Sequence, residues 1–92
     1  MTDSERLELL KLDLTMSSSA FDGLLRLKLE EAREAISREG IELEDTQTDN
    51  ALQISYAAYL YRKRAGQNTA MPRFLRRMLN DRLFSQEMRE NE

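Results

Sequence analysis

The chemistry open to this chain is narrow, because its 92 residues include neither histidine nor cysteine. The usual general base at neutral pH and the usual imidazole and thiolate metal ligands are therefore missing. Carboxylates crowd at two places, Glu30, Glu31 and Glu34, and Glu42, Glu44 and Asp45. Catalytic carboxylate pairs need a pocket that separates their pKa values, whereas these residues lie beside basic residues or in a polar segment. We predict two solvated groups, with no catalytic residue, metal site or cofactor.

Residues 55–84 hold the other candidates for chemistry. They contain three tyrosines and seven basic residues: Tyr56, Tyr59, Tyr61, Arg62, Lys63, Arg64, Arg73, Arg76, Arg77 and Arg82. Arginine favours phosphate contacts, so a surface for nucleic acid is one hypothesis. Tyrosine and arginine are also enriched in protein interfaces, so a contact between subunits is the other. The sequence pI of about 5.1 argues against a dedicated DNA-binding domain, which is usually basic.

The three tyrosines cover too much of one helix's circumference to share a single small core. Either two of them pack internally with their hydroxyls at the rim, or one face of the helix meets another subunit. The pattern leaves both open. The predicted interface comprises the tyrosines and nearby arginines: Tyr56, Tyr59, Tyr61, Arg62, Arg64, Arg73, Arg76 and Arg77.

Apolar residues recur three and four positions apart, which predicts helices. We expect four, at about Asp3–Leu14, Ala20–Glu39, Asp49–Ala65 and Pro72–Met88. The third is apolar on more than one side, so it is expected to be buried on more than one side. The sequence therefore predicts an all-α fold, a compact bundle of about four helices around a central helix near residues 49–65, in one domain spanning residues 1–92.

Local signals support the predicted ends of these helices. Thr2 with Glu5, and Ser19 with Asp22, are spaced as capping pairs, and Gly40 suits a left-handed stop after the second helix. The third helix is expected to be capped by Thr46 or Thr48. Pro72 is expected in the first turn of the fourth helix, where its missing N–H has no partner.

Charge is divided unevenly along the chain. Residues 1–50 carry six basic and thirteen acidic side chains, a net charge of −7, and residues 51–92 carry eight and four, a net charge of +4. Such a division can steer docking between copies of one protein. No apolar run reaches the roughly 20 residues of a membrane span. We expect a soluble, intracellular chain with no membrane contact.

Several stretches resemble the head–tail connector proteins of long-tailed bacteriophages. They are Y-A-A-Y-L-Y-R-K-R-A-G at 56–66, M-P-R at 71–73 and L-x-x-x-L-N-D-R-L-F at 75–84. The opening L-L-K-L-D-L, the serine-rich gap that follows it and R-E-G-I at 38–41 are similar too. The resemblance covers nearly the whole chain. It lies in the order of these stretches, the length of the chain and its helix content.

This resemblance implies a structural virion protein without catalytic activity. It implies a subunit of an oligomeric ring, typically of a dozen or so copies, in the virion neck below the portal protein, assembled in the host cytoplasm. Such a ring extends the DNA channel and carries a stopper or tail-completion protein, while genomic DNA passes without sequence-specific contact. The alternative is a small DNA-binding or packaging accessory protein that uses the basic cluster from Arg62 to Arg82.

Overall fold

Four α-helices make up the fold in the computed structural model, which describes residues 1–67 and 70–91. They are α1 (Asp3–Asp13), α2 (Asp22–Arg38), α3 (Gln47–Arg64) and α4 (Arg73–Glu90), and these two ranges contain no strand. The prediction of an all-α fold with four helices is confirmed. None of the helices in the described ranges is both long and apolar enough to cross a membrane.

The third helix is the centre of the fold, as predicted. It packs against α1, α2 and α4. Its buried side chains point in several directions: Leu52 and Ile54 are two residues apart, about 200° around the helix axis, and both are buried. Small Ala57 and Ala58 are fully buried as well, which allows neighbouring helices to approach α3 closely.

The core is filled by leucine, isoleucine and alanine from every helix. On α2 the buried residues Leu25, Leu29, Ala32 and Ile36 follow the predicted spacing of four, three and four. Leu10 of α1 and Leu75 of α4 are fully buried on the other sides of the cluster. Each fully buried leucine stabilises the fold by about 1.5–3 kcal/mol relative to an exposed one.

The start of α1 has the predicted cap, and the start of α2 does not. Glu5 N–H donates to Thr2 Oγ1 at 3.1 Å, and Thr2 N–H donates to Glu5 Oε1 at 2.9 Å. The second predicted capping pair is wrong, because α2 begins at Asp22 after Phe21 with no side-chain cap. The Asp22 carboxylate instead lies 3.0 Å from the buried ammonium group of Lys11. A buried ammonium group needs a counter-charge, and the Asp22 carboxylate provides it.

Two glycines follow the ends of α2 and α3, and one threonine caps the start of α3. Gly40 has φ +91° and Gly66 has φ +79°, so both have the left-handed backbone expected after a helix. Thr46, rather than Thr48, caps α3, because its Oγ1 accepts the Asp49 N–H at 3.1 Å. Pro72 lies just before the first residue of α4 and not in its first turn.

Candidate interaction surfaces

Two of the three tyrosines pack inside the single chain. Tyr56 and Tyr59 are each 8% exposed, and their rings meet edge to face with centroids 5.9 Å apart. Burial raises the pKa of Tyr56. Tyr61 is half-buried and packs against the core. Two of the tyrosines therefore pack internally, and these two rings leave little surface for another copy.

The predicted basic cluster does not form one solvated surface. Arg82 is buried and points into the protein. Arg76 binds Glu39 at 2.7 Å, and Arg62 lies 3.8 Å from Asp13. The chain's acidic half therefore neutralises part of its own basic half.

Four basic side chains of the cluster remain exposed and unneutralised. In the part of the chain that the structure describes, no carboxylate lies within 4 Å of Lys63, Arg64, Arg73 or Arg77. Lys63 lies 5.8 Å from the centre of the Tyr59 ring. Among the described residues, the arginines of the predicted interface that are exposed and have no carboxylate nearby are thus Arg64, Arg73 and Arg77.

Arg82 belongs to a buried clamp that sequence reasoning missed. Its Nε donates to Asp49 Oδ1 at 2.6 Å, and its Nη2 donates to the Glu42 carbonyl at 2.8 Å. Gln86, one turn later, donates to the Gly40 carbonyl at 2.7 Å and accepts the Glu42 N–H at 2.8 Å. The clamp ties α4 to the start of α3 and to the extended segment between α2 and α3.

The clamp had a signal in the sequence. Leu75, Leu79, Arg82 and Gln86 are spaced four, three and four apart, so all four lie on one face of α4. Two of them are apolar and fully buried. The spacing, taken without regard to residue type, therefore predicts that Arg82 and Gln86 point inward as well.

One carboxylate from each of the two acidic groups is held in a local structural contact. Glu31 binds Lys28 at 3.1 Å. Asp45 accepts hydrogen bonds from the chain's N-terminal amine at 2.7 Å and from Asn50 at 2.8 Å. Across residues 1–67 and 70–91, no three Asp or Glu side chains come together in a way that could hold a metal ion.

The face of α4 opposite the clamp carries an apolar stripe that faces solvent. Phe74, Phe84 and Met88 are 57%, 64% and 54% exposed. With Arg77 and Asp81 between them, they are spaced three, four, three and four residues apart, so they share one side of the helix. We call these five residues the α4 outer stripe. Phe74 therefore lies outside the buried face of α4 that Leu75 and Leu79 form.

A second exposed apolar surface lies between α1 and α3. Leu9 and Leu12 are 41% and 72% exposed, and they line an open groove with Met1, Ala51 and Ile54. We call it the α1–α3 groove. A folded monomer scatters exposed apolar residues singly, whereas grouped ones mark contact sites. The groove and the α4 outer stripe are the candidate functional sites.

A scan of the chain against protein-family models, and searches of curated proteins and of solved structures, found no match.

Proposed function

We propose that this chain is a structural subunit of an oligomeric connector ring, which joins the portal of a phage head to the tail and extends the DNA channel. The observation that carries the proposal is the α4 outer stripe. Its two phenylalanines and one methionine are each more than half exposed. Subunits that assemble cover such side chains with a neighbour.

The sequence resemblance to head–tail connector proteins is the basis for proposing the virion neck as the place of assembly. It spans the segments that form α3 and α4, and it extends to the end of α1 and the end of α2. On this proposal the partners are further copies of the chain, the portal protein and a stopper or tail-completion protein. Genomic DNA passes through the ring without sequence-specific contact, and the ring is part of the virion neck. No catalytic step and no cofactor belong to this function.

The competing function, DNA binding through the cluster from Arg62 to Arg82, has less support. A non-specific DNA surface needs several cations that can reach phosphates at once. Arg82 is buried, and Arg62 and Arg76 have carboxylate partners within the chain. The remaining four basic residues are divided between the end of α3 and the start of α4.

Two measurements separate the functions. Light scattering over rising protein concentration, with electron microscopy of the concentrated sample, tests for closed rings with a central channel. Fluorescence anisotropy with a short DNA duplex at physiological salt tests for retention of DNA. We expect rings and no DNA retention.

The portal protein encoded by the same virus provides the control for conditional assembly. A chain that is monomeric by itself is mixed with this portal protein, and ring formation is scored again by microscopy. Failure to form a ring in both conditions contradicts the connector function. A monomer that binds the duplex tightly, with affinity that falls steeply as salt rises, supports the DNA-binding alternative.

A further inference from the structure

We propose that the α4 outer stripe of one copy docks in the α1–α3 groove of a second copy, head to tail. This inference rests on the proposed function only for the premise that the chain contacts its own copies. The two surfaces, their shapes and their charges come from the folded chain itself.

Shape is the first argument. The stripe stands on a convex helix and offers Phe74, Phe84 and Met88 as anchors on one side. The groove is open, and its apolar lining comes from Met1, Leu9, Leu12, Ala51 and Ile54, with Asp13, Gln47, Asn50 and Ser55 as its polar lining. An amphipathic helix that lays regularly spaced apolar anchors into an apolar groove is a recurrent mode of recognition. The stripe from Phe74 to Met88 spans about 21 Å along α4, and α1 spans about 16 Å, so the groove is long enough for most of the stripe.

Charge is the second argument. The exposed charged side chains of α1 are all acidic: Asp3, Glu5, Glu8 and Asp13. Of its two basic residues, Lys11 is buried and binds Asp22, and Arg6 binds Asp3 of the same helix. The first turn and a half of α4 carries only basic charge, and Arg73 and Arg77 remain available there because Arg76 is bound to Glu39. An acidic rim beside the groove thus meets a basic end of the stripe, which favours this pairing over wrong ones.

Placement on the fold is the third argument. The α4 side of α3 is marked by Leu52 and Thr48, which line a surface pocket together with Met78 of α4. The groove side of α3 is marked by Ile54 and Ala51. Leu52 and Ile54 lie about 200° apart around α3, so the stripe and the groove are on different sides of the molecule. One copy can therefore use both surfaces at once, and such heterologous contacts propagate until they close a ring or form an open filament.

The test uses two variants that each remove one surface. Leu12→Asp places a charge in the groove, and Phe84→Asp places one in the stripe. Both side chains are more than 60% exposed in the monomer, so both variants should fold, which circular dichroism checks. We expect each variant alone to stay monomeric. Their equimolar mixture should form heterodimers of about twice the 10.8 kDa chain mass and nothing larger, because each variant lends the surface that the other lacks.

Crosslinking detects the same heterodimer when it is weak. The chain has no cysteine, so Gln47→Cys at the polar edge of the groove in the Phe84→Asp variant and Ser85→Cys beside the stripe in the Leu12→Asp variant provide single thiols and keep the apolar anchors. A short bis-maleimide should link the two chains only in the mixture. Arg33→Cys, on the exposed side of α2, is the matched control in place of Gln47→Cys and should give no heterodimer.

The outcomes distinguish this contact from the connector function. Rings in the wild type that persist in both variants overturn the contact and leave the function standing. Assembly lost in Phe84→Asp but kept in Leu12→Asp also overturns it, because the stripe then pairs with something other than the groove. Open filaments in the wild type that both variants abolish support the contact and argue against a ring. A mixture that gives neither a heterodimer mass nor a crosslink overturns the contact.

Discussion

Arg82 and Asp49 form a buried ion pair between α4 and the first turn of α3, with 2.6 Å between Arg82 Nε and Asp49 Oδ1. Both residues are more than nine-tenths buried. The second Asp49 oxygen accepts from Arg82 Nη2 at 3.1 Å and from the Glu44 N–H at 2.7 Å. Arg82 lies on the same face of α4 as the buried Leu75 and Leu79, so the pair helps to hold this face toward the core while Phe74 and Phe84 face solvent.

Replacing Arg82 with alanine should be severely destabilising. The substitution leaves the Asp49 carboxylate buried without a counter-charge, and it removes the hydrogen bond to the Glu42 carbonyl. Loss of one partner of a buried pair costs about 3–5 kcal/mol, a large part of the roughly 5–15 kcal/mol that stabilises a typical protein. Urea unfolding followed by circular dichroism measures the change in the free energy of unfolding.

Two further variants test the geometry of the pair. Arg82→Lys keeps the charge but loses the planar two-point contact. Its free energy of unfolding should therefore lie between those of the wild type and of Arg82→Ala. Arg77→Ala removes an exposed arginine from the same helix and should change the free energy of unfolding by less than about 0.5 kcal/mol. Equal effects at Arg82 and Arg77 would mean that the buried pair contributes nothing specific.

Acid should weaken the fold through Asp49. Burial by itself raises the pKa of this carboxyl, but the hydrogen bonds from Arg82 and from the Glu44 N–H outweigh burial and leave that pKa below its ordinary value. A carboxyl with a lowered pKa in the folded state stabilises the fold above its unfolded pKa of about 3.9, and this contribution is lost as pH falls through the folded value. The measurement is urea unfolding of the wild type and of Asp49→Asn between pH 7 and pH 3.

Asp49→Asn provides the internal control, because the amide of asparagine does not titrate. The stability difference between the two proteins should be constant at neutral pH and should narrow below about pH 4. A difference that stays constant down to pH 3 would contradict the lowered pKa of Asp49. Asp45 also has a lowered pKa, from its hydrogen bonds with Asn50 and the N-terminal amine, but it titrates in both proteins and cancels in the comparison.

The sequence was sufficient to predict the fold because its apolar spacing is regular. The stripe Leu25, Leu29, Ala32 and Ile36 could only be buried on one side of a helix, and the mixed surface of α3 required burial on several sides. Such predictions depend on residues close together in the chain. The contact between Asp49 and Arg82 joins residues 33 positions apart, and no local pattern specifies which carboxylate a distant arginine will meet.

The exposed surfaces were missed for a related reason. Helix α4 has two candidate stripes, one through Leu75 and Leu79 and the other through Phe74 and Phe84. Hydrophobicity alone favours burying the phenylalanines. The bonds of Arg82 with Asp49 require the first stripe to face inward, so the second stripe faces outward. The sequence left the place of the tyrosines open because it does not show that Tyr56 and Tyr59 pack against each other.

Replacing Gly23 and Gly40 with alanine should change the stability of the fold in opposite directions. Gly23 lies in the first turn of α2 with ordinary helical backbone and open space around it, so Gly23→Ala should stabilise the fold by about 0.4–1 kcal/mol by restricting the unfolded chain. Gly40 has φ +91°, and an added Cβ there would meet only Leu83 at 3.8 Å, an ordinary contact. Gly40→Ala should therefore lose about 1–2 kcal/mol through backbone strain alone. Thermal unfolding compares them, and a shift in the same direction for both would contradict the backbone argument.

Reversing the basic end of the α4 outer stripe should weaken self-association in a salt-dependent way. Arg73 and Arg77 are exposed, and on the proposed contact they lie near the acidic rim of α1 in the next copy. Arg73→Glu with Arg77→Glu turns attraction into repulsion, and its largest effect on the association constant should occur at low salt, because salt screens exposed charges. Sedimentation at several salt concentrations measures this effect. Arg33→Glu with Arg38→Glu, on the exposed side of α2, changes the net charge equally and should leave association near the wild-type value. A similar loss in both double variants would indicate an effect of net charge and not of a contact at α4.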